Sequence, residues 1–146
     1  MRKELVKHWM TRDVVTISPD TPLPEAHRLM SEKQIRRLPI VDHNRVVGII
    51  TLGDVREAEP SDATSLSIWE MNYLLAKQKV DSLMTKNPLT ISPEATISEA
   101  ARLMLEQKVS GLPVIDQNEK LVGIITESDV FRLIVQAWDK MEEAVS

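Results

Sequence analysis

Apolar and polar positions along this chain follow a fixed succession of rhythms, which then starts again. VTISP (15–19) and LTISP (89–93) alternate apolar with polar residues and stop at proline, so each predicts a short strand leaving into a turn. In PEAHRLMSEKQI (24–35) and just before it, Leu23, Ala26, Leu29 and Met30 recur on one side; ISEAARLMLEQKV (97–109) repeats this with Ile97, Ala100, Leu103 and Met104. Both stretches predict amphipathic helices of about three turns, the second starting near Ser98 and Glu99. LPIV (38–41) and LPVI (112–115) are too short for helices and β-branched, which predicts buried strands. Proline has no donor, so these strands lie at an edge or begin at that residue. VVGII (46–50) and LVGII (121–125) predict central strands whose glycine either bends the strand or leaves room for a close neighbour. GDVREA (53–58) and ESDVFRLIVQAWDKM (127–141) end each series as helices.

The order is therefore β-α-β-β-α, twice. From Met10 and again from Met84, 35 residues run in parallel with sixteen identities at an offset of 74. The offset becomes 75 at VVGIITLGDV (46–55) and LVGIITESDV (121–130), because the turn DQNEK is one residue longer than DHNR. The expected organisation is a first repeat over 6–59, a linker and connecting helix over 60–79, and a second repeat over 80–138. PSDATSL (60–66) forms the linker and SIWEMNYLLAKQKV (67–80) the amphipathic connecting helix. KELVKHW (3–9) corresponds to the end of that helix, so both repeats open through a similar segment. Each copy spans roughly 50 residues, marginal for folding alone, and two copies are fewer than a stacked array needs. The prediction is an α/β fold, α+β in character, with two repeats packed about a pseudo-twofold axis.

Composition narrows the classes. Of 146 residues, 42% are hydrophobic and 27% charged, with a net charge of −4, so neither disorder nor a nucleic-acid footprint is indicated. With no cysteine, disulfides and thiol chemistry are excluded. The opening MRKELVKHWM has no apolar run of a signal peptide, and no stretch approaches the length of a membrane span. A cytoplasmic protein without membrane insertion is expected.

Thr51 and Asp54, like Thr126 and Asp129, fall at the junction of a central strand with a helix. Two readings stand side by side. In one, threonine caps the helix and the acid three residues on faces its free amides. In the other, the same carboxylate accepts both hydroxyls of a ribose diol, the helix start favours a phosphate, and an apolar slot beside LPIV and VVGII takes a base.

TISP, LP followed by two apolar residues and Asp, and GIITxxD, given twice in order, resemble a tandem cystathionine-β-synthase (CBS) domain pair, or Bateman module, over residues 6–136. The resemblance implies two domains packed through their sheets, with two clefts between them for AMP, ADP, ATP or S-adenosylmethionine. It also implies a homodimer, and a stand-alone regulatory module signalling to an unidentified enzyme or transporter. Carried over, Asp54 and Asp129 resemble the ribose-binding aspartates, and Thr51 and Thr126 the threonines that contact ribose or phosphate. Thr16, Ile17, Thr90 and Ile91 lie in the segment whose backbone meets the base, and Pro39 and Pro113 in the strand lining the same cleft. Arg36 and Arg37 stand where the second copy has Ser110 and Gly111, and Leu52 where it has Glu127. Guanidinium groups attract phosphate and an added carboxylate repels it, so unequal clefts are expected, the Asp54 side favouring phosphorylated ligands.

His8, His27 and His43 show no metal-ligand spacing, and no carboxylate cage for magnesium is evident, so Mg2+ would enter only with ATP. Trp9, Trp69, Tyr73, Leu74 and Trp138 read as core or interface residues. No activated nucleophile, acid–base pair or G-x-x-x-x-G-K loop is present, so an enzyme is not expected and no cofactor is required. The alternative is a protein-interaction scaffold in which Thr-x-x-Asp only caps.

Overall fold

In the computed structural model, which describes residues 4–58, 70, 73 and 77–145, both rhythms become elements close to where they are expected. In chain order these are α1 (Val6–Trp9), α2 (Leu23–Lys33), β1 (Arg37–Asp42), β2 (Arg45–Thr51) and α3 (Leu52–Ala58). A 3-10 turn (Val80–Ser82), β3 (Thr85–Lys86), α4 (Ile97–Gln107), β4 (Gly111–Ile115), β5 (Leu121–Thr126) and α5 (Glu127–Val145) follow. The protein is an α/β fold of two β-α-β-β-α repeats. The expected linker over 60–66, and with it Trp69 and Leu74, lies outside the described residues, as does most of the connecting helix; Glu70, Tyr73 and Lys77 are helical.

The chain divides into two compact units, Val15–Pro88 (the first unit) and Met1–Val14 with Leu89–Ser146 (the second). Within the first, β1 pairs antiparallel with β2, and β2 with β3 through Gly48↔Lys86 and Ile49↔Thr85. Within the second, β4 pairs antiparallel with β5, and Thr11 bridges Ile124 at the place that Thr85 takes beside Ile49. The Met-Thr that opens each repeat in sequence thus pairs with the central strand of the other repeat.

The central glycines make that pairing possible. A Cβ on Gly48 would overlap the Met84 side chain and come 3.1 Å from the Thr85 carbonyl oxygen. One on Gly123 would come 2.9 Å from both Met10 Cγ and the Thr11 carbonyl oxygen. Of the two roles expected for these glycines, room for a close neighbour is the one they fill. A bulge adjoins each of them, where β1 and β4 slip register between Ile40 and Val41 and between Val114 and Ile115.

Turn chemistry accounts for the change of offset. His43 (φ 51°) and Asn44 (φ 64°) form a two-residue hairpin loop with both residues left-handed. The second hairpin is one residue longer: Asp116 N–H donates to the Lys120 carbonyl at 2.9 Å, and Glu119 (φ 63°) takes the single left-handed position. The Asp116 carboxylate accepts from the amides of Asn118 and Lys120 at 2.8 and 3.0 Å, an Asx turn that holds the longer loop.

The helices bury the stripes read from the sequence. Leu23, Ala26 and Met30 of α2 are buried against Leu38, Ile40 and Ile50; Ile97, Ala100 and Met104 of α4 are buried against Leu112, Val114 and Ile125. Each fully buried Leu or Ile contributes about 1.5–3 kcal/mol. Both helices end on a left-handed residue, Gln34 and Lys108. Their starts differ. Thr96, two residues ahead of the expected Ser98, caps α4 in a reciprocal capping box with Glu99, whereas Pro22 begins α2 with no side-chain cap.

Candidate functional site

VTISP and LTISP form less ladder than a strand. Ile17 N–H donates to the Pro39 carbonyl at 3.2 Å and Val41 N–H to the Ile17 carbonyl at 2.9 Å, a single parallel bridge between Ile17 and Ile40. The next rung would need an N–H at residue 39 to reach the Val15 carbonyl, and proline has none. Ile91 and Val114 repeat the bridge, with Ile91 N–H donating to the Pro113 carbonyl at 3.0 Å and Pro113 ending the ladder. Both prolines are buried in strands that form the outer members of their ladders. The backbone groups of Val15 and Leu89, which face the prolines, and those of Thr16 and Thr90, which face the opposite side, have no partner among the described residues. Thr16 is exposed, Thr90 and Ile91 are half-buried and Ile17 is buried.

At the same end of each sheet, Arg37 is in register with Thr51, and Gly111 with Thr126. The last helix of each repeat is pinned there. Leu52 N–H donates to the Arg36 carbonyl at 2.7 Å, and Glu127 N–H to the Ser110 carbonyl at 3.1 Å. The three segments carrying the candidate residues therefore meet side by side in each unit: Thr16 and Ile17, then Arg36, Arg37 and Pro39, then Thr51 and Asp54 in one; Thr90 and Ile91, then Pro113, then Thr126 and Asp129 in the other. The position holding Arg36–Arg37 in the first unit holds Ser110–Gly111 in the second, beside the Thr-x-x-Asp turn in both. Arg36 is exposed and Arg37 half-buried.

The turns have the geometry of helix caps. Asp54 Oδ2 accepts from Thr51 N–H at 2.9 Å, and Thr51 Oγ1 from Asp54 N–H at 3.2 Å. In the second turn, Asp129 Oδ2 accepts from Thr126 N–H at 2.9 Å and from its hydroxyl at 3.2 Å. One partner was not read from the sequence: Arg132 Nη1 donates to Asp129 Oδ1 at 2.8 Å. Asp129 is 3% exposed, while Asp54 is half-buried. The i,i+3 spacing of Asp129 and Arg132 on a helix was the signal available for this pair.

Chemically, each end offers carboxylate and hydroxyl acceptors, unladdered backbone groups and an apolar floor, a set suited to binding. Among the described residues no three His, Asp, Glu or Cys side chains are grouped to hold a metal, and no helix is long and apolar enough to cross a membrane.

Comparison with known proteins gives a consistent pattern. A family model described as CBS domain matches residues 6–61 and 80–136. A CBS domain-containing protein from Dictyostelium discoideum is 38% identical over 135 residues, 92% of this chain and 93% of that one. The structure is similar to the CBS domain pair of protein MJ0100 in complex with 5′-methylthioadenosine and S-adenosyl-L-methionine, with a TM-score of 0.78, 28% identity, and 93% and 99% of the two chains covered. It is also similar to CBSX2 in complex with AMP, with a TM-score of 0.76, 31% identity, and 92% and 98% covered; CBSX2 comes from Arabidopsis thaliana. Other curated relatives are longer, and this chain spans 23% to 46% of their length.

Proposed function

Because the chain belongs to the CBS-domain family, we propose that it is a regulatory sensor binding an adenine-containing nucleotide or nucleoside at the Thr-x-x-Asp end of each unit. AMP, ADP, ATP and S-adenosylmethionine are the candidates, and occupancy is signalled to a partner protein, an enzyme or a transporter. The observation that carries this reading is the meeting, in both units, of an unladdered backbone segment, a proline-ended ladder and a Thr-x-x-Asp turn. The two similar structures that hold adenine compounds, at 28% and 31% identity, support the choice of ligand class.

Each group has a task. The backbone of Thr16 and Thr90 supplies a donor and an acceptor to the edge of a base, beside Ile17 and Ile91. Capping and ribose binding are compatible at Asp54, because the cap uses Oδ2 and no described residue donates to Oδ1. Arg36 and Arg37 give the first unit the stronger attraction for a phosphate. Thr51 and Thr126 offer hydroxyls at the same rim. The groups bind and do not react, so the protein acts by shifting a conformational equilibrium, to the extent that the ligand prefers one state. Magnesium accompanies ATP only.

A thermal-shift screen with AMP, ADP, ATP, S-adenosylmethionine, NAD and cyclic dinucleotides tests the reading. A true ligand at a hundred times its dissociation constant adds about 2.7 kcal/mol, a rise of several degrees in Tm. No shift with any adenine compound would leave the scaffold alternative, with Thr-x-x-Asp as a cap alone. A homodimer is part of the same proposal, supported by the exposed Phe131, Val135, Trp138, Met141 and Val145 along α5. Sedimentation at micromolar concentration giving the monomer mass would refute it.

A further inference from the structure

Asp54 and Asp129 hold the same place in their units but offer different lone pairs. Both oxygens of Asp129 are engaged, Oδ2 by Thr126 and Oδ1 by Arg132 at 2.8 Å, and its side chain is 4% exposed. Asp54 keeps Oδ1 without a donor among the described residues. Three residues after Asp54 stands Glu57, in the place of Arg132, and a carboxylate cannot donate that bond.

We propose that Arg132 is a specificity-determining residue of the second unit, a built-in competitor for the Asp129 carboxylate that a ribose diol must displace. The inference rests on the reading of Asp54 and Asp129 as ribose acceptors, and assigns them unequal strength. Displacement exchanges an ion-paired hydrogen bond, charged on both sides, for hydroxyl donors that carry no charge of their own and pair the carboxylate less strongly. The Arg132 side chain is 56% exposed, so the freed guanidinium returns to water, while the carboxylate at 4% exposure must take its donors from the ligand. A ligand therefore binds at Asp129 against a cost that is absent at Asp54. The competitor lowers affinity there by about tenfold, the equivalent of one such bond.

Calorimetric titration with AMP, using the wild type as reference, tests this. In a D54A background only the second unit reports, and adding R132Q is expected to tighten AMP about tenfold. A pair with a purely structural role would lower unfolding stability in R132Q without tightening the ligand, and that result overturns the proposal. Weaker binding also overturns it, because Arg132 would then be holding the ligand. The reciprocal change avoids the buried carboxylate: E57R, at an exposed position, in a D129A background installs the competitor beside Asp54. Its expected effect is a loss of about tenfold, and unchanged affinity overturns the proposal. Absence of AMP binding by the wild type is a separate outcome, overturning the ribose reading itself and the competitor with it.

Discussion

The first and second units share a frame and carry different charges at one end of it. Their hairpins carry a bulge at the same rung, their glycines admit a methionine from the opening of the other repeat, and their prolines end the ladder after one bridge. Those features recur because each answers a backbone requirement that side-chain chemistry cannot meet in another way. Beside the Thr-x-x-Asp turn the two units differ in charge: Arg36–Arg37 against Ser110–Gly111, Leu52 against Glu127, Glu57 against Arg132. None of these changes alters the frame, and each changes the charge that a ligand would meet. Duplication has kept the scaffold and varied the charge of the candidate site.

The largest expected effects test the shared frame. Gly48→Val and Gly123→Val each force a side chain into methionine and a backbone carbonyl, and each should cost about 3 kcal/mol in chemical denaturation. Tolerance of one and not the other would break the equivalence of the units. The next effect separates them. Asp129→Ala removes three hydrogen bonds from a buried carboxylate and should cost about 2–3 kcal/mol, against about 1 kcal/mol for Asp54→Ala. Equal losses would mean that the Arg132 pair contributes nothing to the fold. Smallest is Thr96→Ala, expected to cost about 1 kcal/mol by removing the cap of α4. Its counterpart Pro22→Ala removes no capping hydrogen bond and should cost less, as unfolding curves of the two variants would show.

Much of this frame was legible because it is local. The stripe of Ile97, Ala100 and Met104 needs only helical spacing, and the one-residue difference between DHNR and DQNEK needs only turn length. What escaped the sequence depends on partners distant along the chain. Met10 and Met84 look alike, so nothing in either says that it packs on the glycine of the other repeat. That proline would reduce a strand to one bridge becomes evident only once Ile17 is known to lie beside residue 39. Ser98 and Thr96 both suit a helix start, and the capping box with Glu99 decides between them. At the candidate site, the register of Arg37 with Thr51 brings together residues that the sequence had only named. Arg132 was visible three residues after Asp129, but the burial that gives the pair its consequence was not.

Titration of AMP into the wild type, D54A and D129A proteins by calorimetry tests the central claim, that each unit carries one adenine-nucleoside position and that the two are unequal. The wild type should show two steps of different affinity, with D54A losing the tighter and D129A the weaker. A single step that both variants abolish alike, or two steps that neither variant alters, would contradict it.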